Sequence, residues 1–162
     1  MRRALVRVAA GLLVVSSLPL TGAWAPETRV RMADEALRLM PTSLRIAMES
    51  HRKSLRKGVL EPLVDEDTPS HRPPWSEGTL DSAIEAEAQR LAEMLAQPRP
   101  SFSQVTEQFG RLAHFVLDAG FPPGVSEHGD GRYAHFSAFC ESRREKFALV
   151  FYGHEQEAEK WA

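Results

Sequence analysis

Between Val59 and Gly78 the chain carries four prolines, Pro62, Pro69, Pro73 and Pro74. Each lacks an amide hydrogen and crowds the preceding turn, so no continuous helix can pass through the stretch. The regular elements must lie on either side of it, joined by an ordered loop or a flexible excursion. On both sides the apolar residues recur every three to four positions, and nothing alternates cleanly enough to demand a sheet.

The remaining punctuation sets the helix ends. Pro26 suits the first helical position and Glu27 lies near the positive end of that helix, whose stripe is Val30, Ala33, Leu37 and Met40. This first helix is expected to run to about Leu39. Thr42 is a candidate cap for a second helix through Leu44, Ile46, Ala47 and Leu55, and Gly58 is a candidate left-handed stop. A third, from about Leu80 to Ala96, is rich in Ala, Glu and Leu and is closed by Pro98 and Pro100. Ser101 with Gln104 resembles a capping box opening a fourth helix through Val105, Phe109, Leu112, Val116 and Asp118, which stops at Gly120-Phe121-Pro122-Pro123. Beyond a Gly-rich loop, Gly124 to Gly131, a last segment begins near Tyr133 and reads as a helix, although Phe147 to Tyr152 would also suit a strand. The expectation is an all-α fold, a compact antiparallel bundle of about five helices with one long Pro-rich loop.

The 162 residues allow one domain. Residues 1–23 are expected to stand outside it. Arg2, Arg3 and Arg7 form a basic head, Val8 to Leu20 are mostly apolar but short for a membrane span, and Thr21-Gly22-Ala23 are small, the pattern of a secretory signal peptide. Residues 24–162 would then be the mature domain, secreted or periplasmic. Removing 1–23 takes away three arginines and no acid, leaving 17 basic against 22 acidic residues. Such a chain has no broad nucleic-acid surface, because phosphate neutralisation needs clustered Lys and Arg. The one basic run, His51 to Lys57, reads as a solvated helix end. A single cysteine, Cys140, excludes an intramolecular disulfide even in an oxidising compartment, and reads as a buried thiol.

Chemistry concentrates on Leu112-Ala113-His114-Phe115-Val116-Leu117-Asp118. Positions four apart share a helix face, so His114 and Asp118 point at one spot in an apolar setting. A core hydrogen bond is one reading and a metal site the other. Asp65 or Asp67, His71, His128 and His135 lie in or beside loops that a bundle can fold over that face, and imidazole with carboxylate is a zinc shell.

Four pieces of the chain, in order, carry a resemblance: Thr21-Gly22-Ala23 followed by Trp24, Ala36-Leu37-Arg38-Leu39-Met40-Pro41, Gly58-Val59-Leu60-Glu61-Pro62, and His114-x-x-x-Asp118 followed by Pro122. Together they resemble the zinc-dependent phospholipase C and P1-type nuclease superfamily over most of residues 24 to 140. The resemblance implies an all-helical phosphate-ester hydrolase with a three-zinc cluster. It implies that Trp24, freed by cleavage after Ala23, binds one zinc through its α-amino group and carbonyl; a cut after Ala25 would remove it. Asp65, His71, His114 and Asp118 would supply a second site, and His135 belongs to the third.

The same comparison exposes losses. Arg29 stands where the tryptophan-bound zinc expects a histidine; it cannot ligate but brings a positive charge that can pair with Asp118. Gly124 and Phe139 stand at two positions of the third site. Two functions follow as expectations. One is a degenerate member holding at most one zinc, with a binding or structural role. The other is an active zinc phosphodiesterase in which Asp65 or Asp67 orients water, Arg29 stabilises the oxyanion, and the substrate is a phospholipid or nucleotide ester. Trp75 and Trp161 are candidates for partner or membrane-surface contact.

Overall fold

The computed structural model describes residues 24–65, 68–121 and 133–144. These form an all-α fold of six helices: α1 (Pro26–Ala36), α2 (Thr42–Glu49), α3 (Arg52–Leu60), α4 (Leu80–Leu95), α5 (Phe102–Ala119) and α6 (Tyr133–Arg143). The count exceeds the expected five because the second predicted helix is broken. At Ser50 the hydroxyl bonds back to the Ala47 carbonyl at 2.7 Å, and the His51 amide reaches Met48 three residues back at 2.9 Å. That tightened turn ends α2, and the His51 carbonyl then accepts from Ser54 and Leu55 to start α3.

Two other local expectations are corrected. Thr42 is the first residue of α2 rather than its cap, and neither Pro41 before it nor Ser101 before α5 makes a side-chain cap bond. Gly58 is no left-handed stop. It lies inside α3, where a methyl group would collide with the Glu107 carbonyl of α5. Gly110 of α5 answers it, since a methyl there would lie 2.5 Å from the Leu55 carbonyl of α3. The two glycines let the backbones of α3 and α5 approach more closely than side chains permit.

Around that crossing Ala33, Leu37, Met48, Leu55 and Val59 form the core, with Val30, Leu44, Phe109 and Ala113 packed against it. Each fully buried Leu, Val or Met contributes roughly 1.5–3 kcal/mol. The Pro-rich stretch takes short 3₁₀ turns at Glu61–Asp65, Pro69–His71 and Pro74–Ser76. Backbone bonds from Thr79 to Pro69 (2.8 Å) and Leu80 to Arg72 (3.1 Å) fold residues 69–80 onto themselves and hold His71 against α5. At the other side Phe121 packs edge to face on Trp24 and on Phe136, and Trp24 lies tilted against Phe136, joining the start of the described chain to α6. Cys140 is buried on α6, and burial pushes its thiol pKa up. No described helix is long and apolar enough to cross a membrane. The signal-peptide segment, Asp67, Gly124, His128, Phe147 to Tyr152 and Trp161 lie outside the described residues.

Candidate metal centre

The close crossing of α3 and α5 fixes the first ligand-type atom. His114 lies one turn beyond Gly110 and is fully buried, and its Nδ1 is 2.7 Å from the Val59 carbonyl oxygen. A carbonyl only accepts, so Nδ1 carries the proton. In the neutral ring Nε2 is then a lone pair aimed inward. Val59 is available as the acceptor because it sits in the last turn of α3, where carbonyls lack helical donors, and Pro62, three residues on, has no amide hydrogen to offer.

Asp118 follows His114 by four residues and faces the same spot. Its Oδ2 lies 3.3 Å from His114 Nε2 and 2.8 Å from Nδ1 of His71, which the folded Pro-rich stretch delivers. The two imidazole nitrogens are 3.3 Å apart. Among the described residues His71, His114 and Asp118 form the group of side chains able to hold a metal ion. Rings close the surroundings: His71 packs on Phe115 at 5.0 Å and on His114 at 5.1 Å. The side chains of His71, His114 and Asp118 are 6%, 0% and 5% exposed.

These spacings suit a metal. Zinc bonded at about 2.0–2.1 Å in a tetrahedron has ligand atoms roughly 3.3 Å apart; two of the three observed separations are 3.3 Å, and the third, 2.8 Å between His71 Nδ1 and Asp118 Oδ2, is that of a hydrogen bond. The chemistry suits it as well, because the lone pair of His114 Nε2 faces a carboxylate oxygen, an arrangement that a cation resolves.

One cation is built in. Arg29 of α1 is fully buried, with Nη1 2.5 Å from Asp118 Oδ1 and 3.3 Å from His114 Nε2, while its Nε donates to the Trp24 carbonyl at 2.9 Å. Burial acts to raise the Asp118 pKa, but the hydrogen bond from His71 and the Arg29 charge outweigh it and hold the carboxyl well below the usual range. Asp118 is therefore ionised and is the negative charge of the cluster.

The remaining expected site residues are elsewhere. Trp24 engages through its indole Nε1, which donates to the Leu117 carbonyl at 2.9 Å, and its own carbonyl is taken by Arg29. Asp65 is exposed at the end of its turn, and His135 is exposed on α6; neither joins the cluster. Phe139 is also exposed, beneath the Arg143 guanidinium. Val59 and Gly110 do not stand out in the sequence by residue type; the signal that could have found them is the pair of glycines in two segments that both read as helix. Comparison with family models, curated proteins and solved structures finds no match to this chain.

Proposed function

We propose that this chain is a secreted metal-binding helical protein holding one zinc ion at His71, His114 and Asp118, with a binding or structural role. The observation that carries the reading is the Val59-locked ring of His114, whose lone pair meets His71 Nδ1 and Asp118 Oδ2 at 3.3 Å each. Two imidazoles and a carboxylate favour zinc over calcium or magnesium, which prefer oxygen ligands. Bound there, zinc supplies a cross-link: it ties the Pro-rich stretch, through His71, to α5, through His114 and Asp118. The near-complete burial of all three side chains supports a structural role, since a phosphodiester has little access to them. The reading agrees with a diverged phospholipase C or P1 nuclease-like ancestry in which one site survives and Arg29 stands at another.

A second reading, the active phosphoric-ester hydrolase, is favoured by the number of protein ligands. Three leave a coordination position open, as in catalytic zinc sites, whereas structural sites are closed by four.

Elemental analysis of protein purified without chelator should find about one zinc per chain. Chelation should lower the melting temperature and added zinc restore it, by up to about 4 kcal/mol at a thousandfold excess over Kd. His71→Ala, on a short turn rather than in a helix, should fold and lose the response. Wild-type protein that takes up no zinc under any of these conditions overturns the reading. Hydrolysis of bis(p-nitrophenyl) phosphate, abolished by Asp118→Asn, would replace it with the second.

A further inference from the structure

The candidate ligands are almost wholly covered: the side chains of His71, His114 and Asp118 are 6%, 0% and 5% exposed. They are also bonded to one another. His71 Nδ1, 2.8 Å from the Asp118 carboxylate, donates its proton there and offers no lone pair. To ligate through Nδ1 the ring must leave Asp118 and carry that proton on Nε2 instead. Loading the site therefore needs one element to move, and the ligands stand on two, α5 and the stretch 69–80.

These two differ in what movement costs. Parting α5 from α3 would open the core at Leu55 and Val59 and break the bond from His114 to the Val59 carbonyl. No residue from 69 to 79 is buried as a whole, His71 giving up only its side chain, and Leu80 is the first buried anchor beyond. The stretch holds its shape by backbone bonds within itself, from Gly78 to Pro73 (3.1 Å), Thr79 to Pro69 (2.8 Å) and Leu80 to Arg72 (3.1 Å). It also stores strain. Glu77, at φ 58° and ψ 27°, is among the described residues the one non-glycine with positive φ, where a Cβ is disfavoured. Few buried groups and short-range bonds are what let a segment open apart from the rest of a fold. We propose that residues 69–79 are a strap that opens locally while α3 and α5 stay in place, and that this opening sets the rate at which the metal enters and leaves. The proposal rests on the metal reading above.

Hydrogen exchange on the metal-free protein tests the strap without the metal. The Gly78, Thr79 and Leu80 amides should exchange at least about a hundredfold faster than those of His114 and Phe115, and bound zinc should slow them. From zinc-loaded protein, a chromophoric chelator in growing excess should draw the ion out at a rate that reaches a plateau, the opening rate. Two substitutions that touch no ligand should move this plateau in opposite directions. Gly78→Ala, whose methyl would collide with the Arg72 carbonyl, should raise it at least about tenfold, and Glu77→Gly, which relieves the left-handed strain, should lower it about threefold. Strap amides that exchange no faster than those of α5, or wild-type release that stays proportional to chelator, overturn the proposal even if Gly78→Ala does not fold. So does a plateau that neither substitution moves. A chain that takes up no zinc removes the metal reading and the strap's role with it, a result distinct from a zinc site whose release ignores the strap.

Discussion

Two buried carboxylates are tied to α5, and their surroundings differ in kind. Glu87 of α4 receives Gln108 of α5 on Oε2 at 2.5 Å and Arg90 on Oε1 at 2.5 Å, with Arg111 3.7 Å away. Every oxygen there meets a donor, and Arg90, 56% exposed, carries its charge into water. Asp118 instead shares its setting with a fully buried Arg29 and with His114, whose inward nitrogen is itself an acceptor. Acidity and burial are therefore not what separates a candidate metal site from a structural ion pair. The separation lies in which atoms meet: the Glu87 oxygens face donors, whereas beside Asp118 the acceptor nitrogen of His114 also stands within 3.3 Å of a carboxylate oxygen and of a second imidazole nitrogen.

The largest expected effect tests the charge side of that contrast. Asp118→Asn removes the buried Arg29–Asp118 ion pair, and breaking such a pair costs about 3–5 kcal/mol, measured by denaturant unfolding of metal-free protein. A loss under 1 kcal/mol would mean that Arg29 finds another carboxylate. The pH dependence follows from the same group. Because the folded pKa of Asp118 is depressed, its contribution is complete above the unfolded value of about 3.9 and is lost as pH falls below it toward the folded pKa. Asp118→Asn should remove that slope from an acid-unfolding curve.

Gly110→Ala should come next. Its methyl would meet the Leu55 carbonyl, so α3 and α5 must part, at about 1–3 kcal/mol for overpacking. The bond from His114 Nδ1 to Val59 should weaken with them, read as altered imidazole nitrogen shifts in NMR. Unchanged shifts together with full stability would detach the helix crossing from the metal centre. The smallest effect belongs to the other cluster. Glu87→Gln removes one charge-assisted acceptor and should cost about 1–2 kcal/mol while leaving the zinc-induced rise in melting temperature intact. Loss of the zinc response there would join the two clusters and break the contrast.

Much of this protein was legible in the chain. Proline spacing and apolar periodicity gave an all-α fold, close bounds for α4 and α5, and the interruption after α3. The i, i+4 pair on α5 pointed to one face. His71 was legible as a candidate only because its loop had to go somewhere, and Arg29 only through a comparison of positions. The break at Ser50–His51 was not legible, since Leu44, Ile46 and Leu55 keep a helical rhythm across it. Gly58 misled for a physical reason: a glycine that ends a helix and one that admits a neighbouring backbone look identical until the neighbour is present.

What the sequence determined by itself is local: where helices can run, where they cannot, and which two side chains share a turn. Asp65 and His135 illustrate the limit, being ligand types in plausible loops that the fold leaves exposed and apart. Only the tertiary structure decided that His71, 43 residues from His114, meets it at 3.3 Å, and that the Val59 carbonyl turns its lone pair inward. The physical reason is that a ligand set is a statement about distances between segments. Those distances come from how closely α3 and α5 pack and from the backbone bonds that fold residues 69–80, and neither is written in any single stretch of the chain.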